Sequence, residues 1–320
     1  QVCDASRYLL PLATETMVAV TMNARSAAWA ISKLLSHPAE EMQVLGTRMR
    51  EEGLKICPTL LRHAEESSFL TSLRGDAEAF LRDRLGPGEG TGAEPGEEDR
   101  AENCVRLLGA ENDSLDRVIA GLLAEVGPEG VAGLGRRLAA QGEREKLALL
   151  ERVQQAMGPY DQCPRAFERT SYSFELTLDY GAFRDIQRHR MGTQLNPTLT
   201  PALGYETPEE IVEAGCGEVY DEAMGRAAEV FDMVAASHPV QAQYLLPLAY
   251  RKRVVFDWNL REVAHFVKLR SAAQGHISYR RVAWQMRDLV VAAQPWWEPF
   301  LPLDRERYPL GRLATYGQTD

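Results

Sequence analysis

The sequence predicts an α+β fold, with helices packed on an antiparallel sheet, present once in full and once in part. Three observations carry this. Most of the chain repeats its apolar residues at helical spacing. One stretch, SYSFELTLD (Ser171–Asp179), instead alternates Tyr172, Phe174, Leu176 and Leu178 with polar residues, the signature of a strand with one buried face. The six residues YLLPLA occur twice, at Tyr8–Ala13 and Tyr244–Ala249, and extend without a gap into RYLLPLATETMVAVTMNAR and QYLLPLAYRKRVVFDWNLR. Both copies end in Asn-x-Arg, at Asn23 and Arg25 and at Asn259 and Arg261. An internal duplication accounts for a match of this length better than two unrelated apolar runs do.

In chain order, residues 1–83 read as the C-terminal half of a first repeat, with the apolar MVAVTM followed by a helix from about Ala24 to Gly53. Only six residues precede Arg7, whereas about 140 separate the next segment from Gln243, so the first copy lacks a front half. Residues 84–102 are Gly-, Pro- and Glu-rich and predict a flexible linker. Residues 103–320 form the second, more complete repeat. Helical patterns cover Val105–Leu108, Leu115–Leu123, Leu134–Leu138 and Lys146–Met157. The strand at Ser171–Asp179 leads into GAFRDIQRHRMG, a helix with Gly192 as its stop. Gly192–Glu209 holds three prolines and two glycines and reads as loop. Glu209–Ser237 reads as one long helix. A strand follows through Val254, Val255 and Phe256, then helix from Asn259 to about Ala292, interrupted near Gly275.

Bulk composition narrows the function. A chain of 320 residues, 45% hydrophobic and 26% charged, is an ordinary globular one with room for two cores. No apolar run approaches the eighteen or more residues of a membrane span, and the N-terminus carries no charged-then-apolar signal. Five scattered cysteines, Cys3, Cys57, Cys104, Cys163 and Cys216, suit neither a disulfide framework nor a CxxC metal site. These features predict a cytoplasmic protein without a metal. A net charge of −10 disfavours nucleic acid as partner, while local arginine clusters can still hold a small anion.

Two clusters carry the candidate chemistry. Arg188-His189-Arg190 ends a short helix, and paired guanidinium forks suit phosphate oxygens. Basic residues at a helix C-terminus also favour the dipole without any ligand. In NLREVAHFVKLR, Arg261 and His265 share a helix face, while Arg270 lies two and a half turns on and points the other way. His265 has an equally ordinary structural reading. No GxGxxG or Walker loop is present. Trp296-Trp297 reads as a packing anchor and Glu40-Glu41 as a solvated helix face.

Taken together, FERTSYSFELTLDYGAFRDIQRHR, the loop after it, and LLP…NLREVAHFVKLRSAAQGHI resemble the flavin-dependent thymidylate synthases over about residues 105–300. The resemblance implies a flavin-dependent thymidylate synthase-like fold that binds FAD through Arg188, His189, Arg190, Asn259, Arg261 and His265. It implies a dUMP-like nucleotide held by Arg270, Thr198 and Arg7. It further implies NADPH and methylenetetrahydrofolate as co-substrates for methylation of dUMP to dTMP. The family is tetrameric, so a fused pair implies a homodimer mimicking that tetramer. The departures are specific. Thr198 stands where the family has Ser, Thr200 and Gln243 where it has Arg, His276 where it has an acid, and Cys163 where it often has His. Losing two arginines weakens nucleotide binding by roughly two to four powers of ten unless something compensates. Three functions therefore stay open. The chain is an active synthase with Arg7 standing in for Gln243, a flavin-binding protein with another substrate, or a catalytically degenerate structural homologue.

Overall fold

The computed structural model describes residues 2–86 and 104–306. Most of the expected linker, residues 87–102, lies outside them. The described chain divides into two compact units, one of residues 2–8, 104–220 and 248–306, the other of residues 9–86 and 221–247.

In chain order the helices are α1 (Val2–Arg7), α2 (Ala24–Leu35), α3 (Glu40–Ile56), α4 (Pro58–Leu61) and α5 (Ser68–Phe80). After β1 (Cys104–Ala110) come α6 (Ser114–Ala124), α7 (Val131–Ala139) and α8 (Glu143–Ala156). Next are β2 (Ser171–Asp179), α9 (Tyr180–Ile186), β3 (Gly192–Leu195), α10 (Glu209–Glu213), α11 (Gly217–Ala235) and α12 (Pro239–Ala242). The last elements are β4 (Arg251–Asn259), α13 (Leu260–Arg270) and α14 (Ile277–Ala293).

The first unit is built on a four-stranded antiparallel sheet in the order β1-β2-β4-β3. β2 and β4 pair over nine residues each, from Ser171 opposite Asn259 to Asp179 opposite Arg251. Period-two patterning therefore puts Tyr172, Phe174, Leu176 and Leu178 on one face with Val254, Phe256 and Trp258, all buried. Helices α13 and α14 cover that face with Val263, Phe266, Val267, Val282 and Met286, and α6 adds Val118 and Ile119. Trp297 is fully buried, and its indole donates to Gln294 Oε1 at 2.9 Å, a packing anchor as expected.

Several expected elements differ. Val105–Leu108 belongs to a strand, because β2 offers its free edge there and supplies the hydrogen bonds that a short helix would need to find internally. Gly192 starts β3 instead of merely ending a helix. A Cβ at Gly192 would sit 2.3 Å from Asp257 O and 2.4 Å from Trp258 Cδ1, so only glycine lets β3 approach β4. The long helix expected at Glu209–Ser237 breaks at Gly215, whose φ of +68° ends α10. The helix expected at Ala24–Gly53 is likewise two, α2 and α3.

In the second unit α2, α3 and α4 enclose a small cluster around the buried Ile31, Leu61 and Ala64, with Ala27, Leu35, Met49 and Leu54 packed against it. The repeated motif takes the same local geometry at its two sites. Asn23 (φ −74°, ψ 161°) caps α2 by accepting from Ser26 N, and Asn259 (φ −73°, ψ 162°) caps α13 by accepting from Glu262 N. The repeated asparagines are thus helix N-caps. Each Asn→Ala substitution is expected to cost about 1 kcal/mol of unfolding free energy, with Asn→Asp retaining most of it, as read by urea titration.

Candidate functional site

The site lies in the first unit, where β2 runs into α9. Asp179, the last residue of β2, has no solvent access and caps α9 by accepting from Ala182 N at 2.7 Å. That cap fixes the direction of a short helix carrying Arg184 and Asp185 and delivering Arg188-His189-Arg190 beyond its end. A cavity of about 300 Å³ opens beside it. Its walls include Arg7, Tyr8, Arg184, Arg188, His276 and Tyr279. Three guanidinium groups face one acid, Asp185, so the cavity is set up for an anion. The Arg188–Asp185 pair is 3.5 Å apart with Arg188 68% exposed, a weak contact that a ligand phosphate could replace.

Tyr8 forms part of the cavity wall. Its ring stacks on His276 with centroids 5.7 Å apart, and its hydroxyl bonds Ser278 and Asp179. Ser278 Oγ in turn donates to Asp179. Burial, reinforced by the Asp179 charge, pushes the Tyr8 hydroxyl well above the ordinary tyrosine range, so it remains a protonated donor. His276 caps α14, accepting from Ser278 N at 3.3 Å.

His189 is buried beneath this surface. Its Nδ1 lies 2.8 Å from Glu262 Oε1, and its Nε2 accepts from Arg270 Nε at 2.9 Å. A ring nitrogen accepting from a guanidinium carries no hydrogen, so the imidazole is neutral and its Nδ1–H donates to Glu262. Arg270 also donates to Asp185 O at 2.8 Å and lies 5.4 Å over the Tyr279 ring. His189 therefore connects the first turn of α13 to its last and holds Arg270 next to the cavity.

The other expected residues separate into two sets. Arg190 and His265 are exposed, and His265 lies 5.6 Å from His189 between ring centroids. Burial of part of the ring, aided by Arg270 and Arg261, lowers the His265 pKa. Asn259 is occupied as a cap. Arg261 is held by Cys163 O at 2.8 Å, Gln162 Oε1 at 2.8 Å and Glu168 at 3.1 Å, away from Arg270's partners. Thr198 and Thr200 are exposed after β3 and do not line the cavity. Gln243 lies in the second unit, donating to Val240 O, while Arg7 lines the cavity. Of the six residues tied to FAD, Arg188, Arg190 and His265 are thus exposed around His189 and suit an anionic group. Asn259, Arg261 and His189 are committed to internal bonds.

Sequence reasoning missed Arg184, Glu262, Asp179 and Ser278. Only Asp179, an N-cap residue directly after a strand pattern, left a local signal.

Comparison with known proteins follows from this geometry. The family described as "Thymidylate synthase complementing protein" matches residues 2–59 and 110–296. The chain belongs to that family. It is 31% identical to a UPF0159 protein of Chlamydia muridarum over 98% of this chain and 59% of the relative. It is 32% identical to a UPF0159 protein of Thermoplasma acidophilum over 97% of this chain and 61% of the relative. The chain thus spans about three-fifths of the length of these curated relatives. A flavin-dependent thymidylate synthase of Thermococcus onnurineus is 40% identical over 52 residues, 16% of this chain and 21% of that protein. Among solved structures, a UMP/dUMP methylase, PolB of Streptomyces cacaoi bound with 5-Br dUMP, aligns at TM-score 0.48 and 16% identity over 63% of this chain and 95% of that one. No helix among the described residues is long and apolar enough to cross a membrane.

Cys163, at the position where a histidine was expected, is buried, and burial pushes its thiol up to about 11. At pH 8 only about one in a thousand such thiols is ionised, against roughly a quarter of ordinary ones. Native Cys163 should therefore alkylate at least a hundredfold more slowly than exposed Cys3 and Cys216, as followed by mass spectrometry, and match them in urea.

Proposed function

We propose that this protein is a flavin-dependent thymidylate synthase-like protein that binds a dUMP-like nucleotide in the Arg7–Arg184–Arg188 cavity. The observation that carries this reading is the convergence of Arg7 with the two α9-side arginines in one cavity walled by Tyr8, His276 and Tyr279. A volume of about 300 Å³ is at the lower end of ligand pockets, suited to a nucleoside monophosphate and too small for a dinucleotide. The arginines would hold the phosphate through charge-assisted forks, and the two tyrosines and the imidazole offer flat faces to a base or sugar.

The position of Arg7 bears directly on the missing arginine. Gln243 replaces the arginine of the second copy, yet it is Arg7 of the first copy that reaches this cavity. On this reading Arg7 stands in for the arginine absent at position 243, and Thr200 remains a departure.

FAD would be held at the exposed group of Arg188, Arg190 and His265, where two cations and an imidazole meet an anionic linkage. When bound it would supply a hydride carrier between NADPH and the one-carbon unit of methylenetetrahydrofolate, the balance needed to convert dUMP to dTMP. The chain's own residues do the placing. Glu262 holds His189 in one tautomer, His189 and Asp185 orient Arg270, and Arg270 lies against Tyr279 at the cavity wall.

Calorimetric titration with dUMP tests this. Binding should be measurable, Arg7→Ala should weaken it roughly ten- to a hundredfold, and Gln243→Ala should leave it unchanged. Equal loss in both variants, or no dUMP binding beside flavin absorbance near 450 nm, would favour a flavoprotein with another substrate. No binding of either ligand leaves the degenerate structural homologue.

A further inference from the structure

The sequence repeat pairs Glu15–Asn23 with β4 residue for residue, since the two copies run without a gap from Tyr8 and Tyr244 to Asn23 and Asn259. In that register Val18, Val20 and Met22 correspond to Val254, Phe256 and Trp258. The latter three are 1%, 0% and 0% exposed, forming the inward face of a strand hydrogen-bonded to β2 on one side and β3 on the other. Val18, Val20 and Met22 are 76%, 67% and 38% exposed, and Glu15–Met22 pairs with no strand among the described residues. The inward apolar pattern is kept with no strand beside it among the described residues.

The correspondence continues beyond the strand. Both stretches end in an asparagine cap of the same geometry, and α3 and α14 are each 17 residues long. Both of those helices finish at a C-cap of similar dihedrals, Cys57 (φ −135°, ψ 63°) or Gln294 (φ −147°, ψ 80°), directly before a proline, Pro58 or Pro295. A segment copied this closely before and after is not an arbitrary loop in between.

We infer that Glu15–Asn23 is a docking strand, and that its occupant is a second synthase-like front half, a polypeptide equivalent to residues 104–195. One strand of that half pairs along Glu15–Asn23 as β2 pairs with β4, and a short one pairs on the other edge as β3 does. Val18, Val20 and Met22 then pass into its core. A second copy of this chain does not serve, because its β2 and β3 are already hydrogen-bonded to its own β4. The curated relatives have the length for such a half, since this chain covers only 59–61% of them. The small cluster of Ile31, Leu61 and Ala64 among α2, α3 and α4 leaves the face of Val18, Val20 and Met22 as the apolar surface that the partner covers.

Hydrogen–deuterium exchange tests the inference on this chain and on the full-length Chlamydia muridarum relative. In the chain alone, Glu15–Met22 should exchange within seconds. Introducing Val18→Asp with Val20→Asp should leave its thermal midpoint unchanged, because those side chains already face water. In the longer relative, the aligned segment should be protected at least a thousandfold, and the same two charges should abolish that protection. Fast exchange of the aligned segment in the longer protein would overturn the proposal. So would protection in the chain alone together with a doubled mass by light scattering, which would assign the strand to a second copy.

Discussion

One carboxylate with no solvent access, Asp179, fixes the geometry on which the cavity depends. Its position is set by the sheet, because it is the last residue of β2 and is paired opposite Arg251 of β4. From there it caps α9, accepts from Ser278 at the start of α14, and bonds the Tyr8 hydroxyl. Three parts of the chain far apart in sequence are tied to one group. A buried charge is tolerated only when its lone pairs are filled, and here each donor that fills one belongs to an element bordering the cavity. The arginines of α9 and the ring of Tyr8 are thus placed by the same requirement.

Glu262 plays the matching part beneath the surface. It accepts from the Nδ1–H of His189, which leaves Nε2 to accept from Arg270, and Arg270 reaches on to Asp185. The middle member of Arg188-His189-Arg190 consequently differs in kind from its neighbours. The flanking arginines are exposed and can meet a ligand, while the histidine points inward and orients an arginine from another helix. A motif that reads as three equivalent groups is two exposed arginines and one buried histidine that orients Arg270.

What the sequence made legible follows the range of the interactions. β2 was read at its observed bounds because burial of one face prints a period of two on the residues themselves. The break between α13 and α14 was visible at Gly275. β1 was misread because four residues, Val105–Leu108, do not distinguish the periods, and its identity rests on the edge of β2 some seventy residues away. β3 is four residues long among prolines, and only its closeness to Trp258 makes it a strand. Arg7 was marked by its place in the repeat. Glu262 and Ser278 were not, since the first reads as an ordinary first-turn acid and the second as a helix-start serine. Their partners, His189 and Asp179, lie 73 and 99 positions away.

The repeated motif makes equivalent contacts at its two sites. In the first unit Ala249 N donates to Tyr8 O, and in the second Ala13 N donates to Tyr244 O, which is the same bond with the two copies exchanged. Each copy's tyrosine also reaches the start of the other copy's second helix, Tyr8 to Ser278 and Tyr244 to Glu41. Arg7 accordingly lies in the first unit at the cavity, and Gln243 in the second unit. The chemistry at the two positions has diverged accordingly. Tyr8 shares its cavity wall with Arg7, and its hydroxyl bonds Ser278 and the Asp179 carboxylate. Beside Tyr244 there is a glutamine and the acid Glu41, which with burial pushes the Tyr244 hydroxyl up to about 12 and repels an anion. Of the two positions that lack an expected arginine, Gln243 lies in the second unit and Thr200 in the first, and neither lines the cavity that Arg7 reaches.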